Sequence, residues 1–278
     1  MLKNKIGSVI GYHQGVDIEA SFKKAADTEL KACQLICGDV TMQTPEHSAK
    51  IKKLSEEYDV EVTAVWAAWS GPSIWNFYDG PATLGIVPPA YRAHRLNELI
   101  SGANFAYNMG VTDVITHVGF IPENPDDPNY QGVVSALRYL CNYLNSRGQY
   151  FLFETGQETP VVLLRTIEEV GTGNLGINLD TANLILYGKA NTVDALDVIG
   201  KYVRNTHCKD GLYPTTGKNL GHEVALGQGK ANFPGVFRKL KELNYTGPYI
   251  IEREISGEQQ QKDIVMARDF IRSLLAEA

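Results

Sequence analysis

Four short apolar runs in the second half of the chain each end on a residue that can hold a metal ion or move a proton. They are Tyr150-Phe-Leu-Phe-Glu154, Leu175-Gly-Ile-Asn-Leu-Asp180, Tyr202-Val-Arg-Asn-Thr-His207 and Gly247-Pro-Tyr-Ile-Ile-Glu252. Runs that are apolar along their whole length, with helical stretches between them, read as strands of a parallel sheet covered on both faces. The polar residue at the end of each then faces one shared mouth.

The rest of the chain repeats the alternation. The runs Ile6 to His13, Lys31 to Cys37, Glu61 to Trp66 and Val111 to Phe120 give four earlier strands. Helices are expected over Ile18 to Thr28, where Ile18, Phe22, Ala25 and Ala26 recur at helical spacing, and from Thr44-Pro45 to Tyr58. Further helices are expected from Pro88-Pro89 to Met109, Gly132 to Arg147, Thr159-Pro160 to Gly171, Thr192 to Ile199, Asn232 to Leu243 and Asp263 to Ala276. Eight strands and eight helices predict a closed (β/α)8 TIM barrel forming a single domain over residues 1–278, with reacting groups at the C-terminal ends of the strands. An open doubly wound sheet also reads as alternating strand and helix, but the first strand is not followed by its Gly-x-Gly-x-x-Gly loop.

Loop lengths point to the same mouth. The segments Ser70 to Val87, Ile121 to Tyr130 and Gly211 to Ala231 all follow strands and are long, whereas those following helices are short. Long loops in a compact domain are usually lids or binding segments. The first carries Trp75, Phe77 and Tyr78 just beyond Trp69, enough to close an apolar wall over a small ligand.

Composition narrows the function classes. With 44% hydrophobic and 21% charged residues and no membrane-length apolar run, the chain reads as a soluble globular protein, and its Met-Leu-Lys-Asn-Lys start has no signal-peptide core. A cytoplasmic location is expected. A net charge of −6 argues against nucleic acid as a partner, because such binding draws on Lys and Arg contacts to phosphate. Cys33, Cys37, Cys141 and Cys208 form no Cys-x-x-Cys pair and are expected to be buried thiols.

Glu154, Asp180, His207 and Glu252 end four consecutive strands, so in a barrel they converge on one arc of the rim. Two like charges about 4 Å apart repel by about 4 kcal/mol at an effective dielectric near 20. A divalent cation removes that cost, and three carboxylates with one imidazole suit Mn²⁺ first, with Mg²⁺ or Co²⁺ as alternatives. Glu254 competes with Glu252 by strand parity; Glu252 is preferred because it follows the apolar run directly.

Phe153-Glu154, Asn178-Leu-Asp180-Thr, Thr206-His207-Cys-Lys209-Asp210, Leu226-Gly-Gln-Gly229 and Tyr245-Thr-Gly247 through Ile251-Glu252 resemble, in order and spacing, the xylose isomerase-like superfamily, which includes sugar phosphate isomerases/epimerases and the ketose 3-epimerases. The resemblance implies a (β/α)8 barrel with one metal ion held by Glu154, Asp180, His207 and Glu252. The two glutamates would move protons on opposite faces of a sugar. Two positions depart from the ketose 3-epimerases: Asn183 stands where they carry histidine, and Tyr213 where they carry arginine. Lys209, two residues past His207 and so on the same face of the strand, can supply the missing positive charge.

His117 at the end of the fourth strand, Trp66 at the end of the third, Glu158 and Asn183 complete the substrate-binding candidates. Gly227-Gln-Gly-Lys230 lacks Walker spacing and reads as a turn. The expected activity is a sugar or sugar phosphate isomerase or epimerase working through a metal-stabilised enediolate. The alternative is a lyase or C-glycoside-cleaving enzyme for 3-keto sugars at the same site. An abasic-DNA endonuclease would need further histidines, one of them at Asn183, and a sugar-binding barrel would not need both Glu154 and Glu252. The expected partner is a small sugar, with neither nucleic acid nor membrane, and with room for a homo-oligomer.

Overall fold

Eight parallel strands close on themselves in the computed structural model of the chain, which describes residues 4–277. The ring begins with β1 (Ile6–Gly11), β2 (Ala32–Ile36), β3 (Glu61–Trp66) and β4 (Asp113–Thr116), and continues through β5 (Tyr150–Glu154), β6 (Leu175–Asp180) and β7 (Val203–Cys208). A small antiparallel hairpin, β8 (Asp210–Leu212) with β9 (His222–Val224), then interrupts it, and β10 (Tyr249–Ile251) is the eighth barrel strand. β10 pairs with both β7 and β1, which closes the barrel.

The helices start where the sequence supplies caps. Asp17 accepts from Ala20 N–H before α1 (Ile18–Asp27), and Thr44 accepts from His47 N–H before α2 (Pro45–Glu57). Four-residue α3 (Gly80–Thr83) lies inside the loop after β3, and α4 (Pro89–Met109) ends on Gly110, whose φ of 82° terminates the helix without Cβ strain. α5 (Pro128–Asn145) starts four residues before the expected Gly132, because Asp127 caps it and Pro128 opens it, and this shortens the preceding loop. α6 (Pro160–Val170), four-residue α7 (Asn183–Leu186), α8 (Thr192–Ile199) and α9 (Phe233–Glu242) follow. α10 (Glu258–Glu277) begins five residues before the expected Asp263.

Helices cover the sheet through one continuous apolar layer that includes Phe22, Ile51, Phe105, Leu137, Leu163, Val236 and Ile271. A separate small cluster of Ala64, Ile115 and Leu152, with Trp66 and Tyr150 against it, fills part of the barrel interior. Beside that cluster the interior is polar. Gln34 Nε2 donates to Asn178 Oδ1 at 2.9 Å and to Asn205 Oδ1 at 2.8 Å, bridging β2 to β6 and β7. Register irregularities fall immediately before Gln34 and before Asn178, as β-bulges do where a side chain is re-aimed.

Near the starts of the strands, Arg204 on β7 pairs with the buried Asp113 on β4 at 3.0 Å and lies 3.5 Å over the Tyr150 ring. The mouth at the other end is shaped by the loop between β3 and α4. Buried Arg95 holds that loop, donating to the carbonyls of Ser70, Pro72, Thr83 and Gly85 at 2.6–3.2 Å. The hairpin meets the loop from the other side, with Phe77 N–H donating to Lys218 O at 2.9 Å. Among the described residues no helix is long and apolar enough to cross a membrane. The four cysteines are buried and free.

Candidate metal centre and active site

Because consecutive parallel strands end at one level, the residues that close β5, β6 and β7 and follow β10 come together. Glu154, Asp180, His207 and Glu252 each present a ligand atom, and these atoms lie within 4.8 Å of one another. His207 Nδ1 is 2.9 Å from Glu154 Oε1, 3.1 Å from Glu252 Oε2 and 3.8 Å from Asp180 Oδ2. Its other nitrogen, Nε2, is 2.5 Å from Gln34 Oε1. An amide oxygen only accepts, so Nε2 carries the hydrogen and the Nδ1 position points among the three carboxylates. A proton or a metal ion must occupy that position for the arrangement to be stable. Burial pushes the imidazole pKa down, but Glu252 and Glu154 raise it well above the usual histidine range.

Asp180 supplies the second sign of a cation site. Its Oδ1 accepts from the backbone N–H groups of Ala182 and Asn183 at 2.8 and 2.7 Å, whereas Oδ2 is buried with no hydrogen-bond partner. With Lys209 Nζ, at 3.5 Å, as its nearest counter-charge, that interior oxygen keeps a desolvation penalty that a closer cation would reduce. Burial pushes the Asp180 carboxyl well above the usual carboxylate range, with Lys209 opposing, so a further cation beside it would favour its ionised form. Hard oxygen donors with one nitrogen fit a divalent ion.

Lys209 faces inward and is nearly fully buried, not paired outward to Asp210. Its Nζ lies 3.2 Å from Glu252, 3.5 Å from Asp180, 2.5 Å from Glu254 and 3.3 Å from Asn183 Oδ1. Burial alone would discharge it, but Glu252, Asp180 and Glu254 hold its pKa well above the usual lysine range. Burial pushes the Glu252 carboxyl up, yet Lys209 and His207 hold it well below the usual carboxylate range. Glu254 lies at the rim beside Lys209, and its side chain is 56% exposed.

Glu154 is gripped differently. Its Oε2 accepts from Trp66 Nε1 and lies 3.5 Å from His117 Nε2, while Asn183 Nδ2 approaches Oε1 at 3.5 Å. Burial lowers the His117 pKa, so this imidazole is neutral, and its buried Nδ1 has no partner. The cavity above holds about 550 Å³ and is lined by Trp66, Trp75, His117, Glu154, Asn183, Tyr187, Glu252 and Glu254, among others. Trp75 packs edge-on to His117, and Phe77 and Phe120 pack edge-on to Tyr187.

The sequence-derived candidates therefore separate by place. Trp66, His117 and Asn183 line the cavity, and Lys209 lies behind Glu252 and Glu254. Glu158 does not line it: this side chain is buried, neither oxygen has a hydrogen-bond partner, and burial pushes its pKa up to about 8. Tyr213 is exposed and donates to Gly188 O. Sequence reading missed Gln34, Tyr187 and Glu223. It also missed the role of the turn at Gly227 to Lys230, which wraps the Asp210 carboxylate. The only local sign of Gln34 is an amide amid an apolar run.

The model of the xylose isomerase-like TIM barrel family matches residues 22–274. The crystal structure of a xylose isomerase domain protein from Planctomyces limnophilus is similar, with 34% identity, a TM-score of 0.91, and 98% of this chain and 97% of that one covered. A putative L-ribulose-5-phosphate 3-epimerase of Escherichia coli strain K12 is 33% identical over 103 residues, 36% of this chain and 35% of that protein. D-psicose 3-epimerase from Clostridium cellulolyticum H10, crystallised with D-tagatose, has a TM-score of 0.72 over 98% of this chain and 99% of its own at 14% identity, a likeness of fold.

Proposed function

The chain belongs to the xylose isomerase-like TIM barrel family, and from that premise we propose that it is a metal-dependent sugar isomerase or epimerase. The observation that carries this reading is the pairing of two carboxylates, buried Glu154 and half-buried Glu252, around His207 at the floor of a cavity with aromatic walls. Glu154, Asp180, His207 and Glu252 would hold one divalent ion, Mn²⁺ first by donor type, and its chemistry when bound is Lewis-acid polarisation of a carbonyl oxygen.

Everything else falls to the chain's own residues. Glu154 and Glu252 stand on strands separated by β6 and β7, so they reach a bound sugar from different sides. One takes the proton from the carbon next to the carbonyl, and the other returns a proton. Return to the opposite face of the same carbon gives an epimer; return to the neighbouring carbon gives an isomer. Such proton transfer by a positioned group contributes about 10² to 10⁴-fold. Lys209 keeps Glu252 ionised, and Trp66 with His117 holds Glu154 in place. Trp75 and Tyr187 keep water from the reacting carbon, and Asn183 offers an amide to substrate oxygens.

Turnover in deuterated water tests the reading. Deuterium is expected on the carbon next to the carbonyl, and Glu154→Gln and Glu252→Gln are each expected to stop its entry, with metal content measured in both. Product formation with the original C–H retained would exclude proton transfer. A released aglycone or an unsaturated sugar would move the chain to lyase chemistry at the same site.

A further inference from the structure

Resting on that reading of the site, we infer that Asn205 is a positioning residue for metal binding: it fixes which end of the Gln34 amide faces His207. A side-chain amide has an accepting end and a donating end of nearly equal size, so its shape alone does not prevent reversal. Gln34, Asn178 and Asn205 are all fully buried, and only their neighbours decide the sense. Asn205 is anchored on both sides by backbone groups. The Thr206 N–H donates to its Oδ1 at 3.2 Å, and its Nδ2 donates to Thr63 Oγ1 at 3.4 Å. That hydroxyl gives its own hydrogen to Cys33 O at 3.1 Å, so toward Asn205 it only accepts.

Gln34 takes its sense from there. Its Nε2 carries two hydrogens, and Asn205 Oδ1 at 2.8 Å and Asn178 Oδ1 at 2.9 Å accept one each. Reversal would set Gln34 Oε1 against two amide oxygens and turn an amide NH₂ toward His207 Nε2. In the observed sense Oε1 accepts from that nitrogen, and Nδ1 is left to face the carboxylates. Asn178 is not the source of this order: its Nδ2 is buried without a partner, so its own amide has no second anchor and follows Gln34. The backbone N–H next to His207 in sequence thus sets the direction of that ring through two side-chain amides.

The test compares Asn205→Leu and Asn205→Ala, which remove the acceptor with and without its bulk, against Asn178→Leu. Mn²⁺ affinity is measured by competition with a chelator. Imidazole proton–nitrogen correlation spectra of the Mg²⁺-loaded proteins show which ring nitrogen of His207 carries the hydrogen, expected to be Nε2 in the wild type. Both Asn205 variants are expected to lose about tenfold in affinity and to show hydrogen on Nδ1 in part of the molecules, whereas Asn178→Leu keeps the wild-type ring signal. Adding Gln34→Glu to Asn205→Leu is expected to restore the Nε2–H signal, because the two oxygens of a carboxylate are alike and reversal has no consequence; damage to packing would not be repaired this way. Wild-type affinity and ring signal in either Asn205 variant, or equal loss in Asn178→Leu, would overturn this inference and leave the metal-site reading standing. Wild-type protein that binds no divalent ion would overturn that reading, and this inference with it.

Discussion

His207 is held from behind by Gln34: Nε2 and Oε1 are 2.5 Å apart across the barrel interior, and the opposite ring nitrogen is thereby aimed at Glu154 and Glu252. Partners of this kind set the tautomer and the ring orientation of a metal-binding histidine, and losing one costs about 10 to 100-fold in metal affinity. Gln34→Leu keeps most of the volume and removes the acceptor. We expect its divalent-ion affinity to fall by about that factor, measured by competition against a chromophoric chelator. Unchanged affinity would show that packing alone orients the ring.

Asp180 divides its work between its two oxygens. Asp180→Asn keeps an acceptor for the N–H groups of Ala182 and Asn183 but places an amide nitrogen where the unpartnered oxygen stood. The variant should fold and purify with much less bound metal than the wild type, whose metal content should approach one divalent ion per chain. Elemental analysis of both proteins measures this. Chelation of the wild type should abolish turnover, and Mn²⁺ should restore it.

The loop after β3 should separate binding from stability. Trp75 is 43% exposed, and Phe77 touches the barrel through Tyr187. Replacing both by Ala should raise KM several-fold and cost about 1 kcal/mol or less of stability, as at exposed positions away from the core. Arg95→Met should do the reverse of sparing the fold, since it leaves four carbonyls without their donor. Each such loss costs about 1–3 kcal/mol where the group stays buried. Equal thermal shifts for the two variants would mean that the aromatics are core packing.

Glu158 gives a pH dependence with a definite sign. Burial first, and then the negative charge of Glu154, raise its pKa to about 8, above the unfolded value, so the folded state holds a proton that the unfolded chain releases. Its contribution is fully present below the ordinary carboxylate range and is lost as pH rises toward 8. Glu158→Gln has no proton to lose. The wild type should therefore lose thermal stability relative to Glu158→Gln between about pH 5 and pH 8, and parallel melting profiles would refute this.

The ends of β5, β6 and β7 and the residue after β10 could be read directly, because a buried parallel strand is apolar until the residue that serves the mouth. That made the fold and the four converging candidate ligands visible in the linear order. Gln34 was not visible for the opposite reason. Its partners Asn178, Asn205 and His207 lie 144 to 173 residues away, and nothing beside it in β2 announces them. Asp210 was overlooked because its partners are backbone N–H groups, which every sequence has. The early start of α5 could have been read: Asp127-Pro128 is an N-cap followed by a first-turn proline.

All four candidate ligands lie in the second half of the chain, yet the side chain that orients the histidine among them arrives from the second strand. A fragment beginning near β4 would contain every ligand and still leave the imidazole free to turn. Tight metal retention is thus expected to depend on the closed ring and not on the candidate ligand set alone. During synthesis Gln34 emerges first and waits for β7, so metal uptake can serve as a readout of barrel closure in the refolding protein.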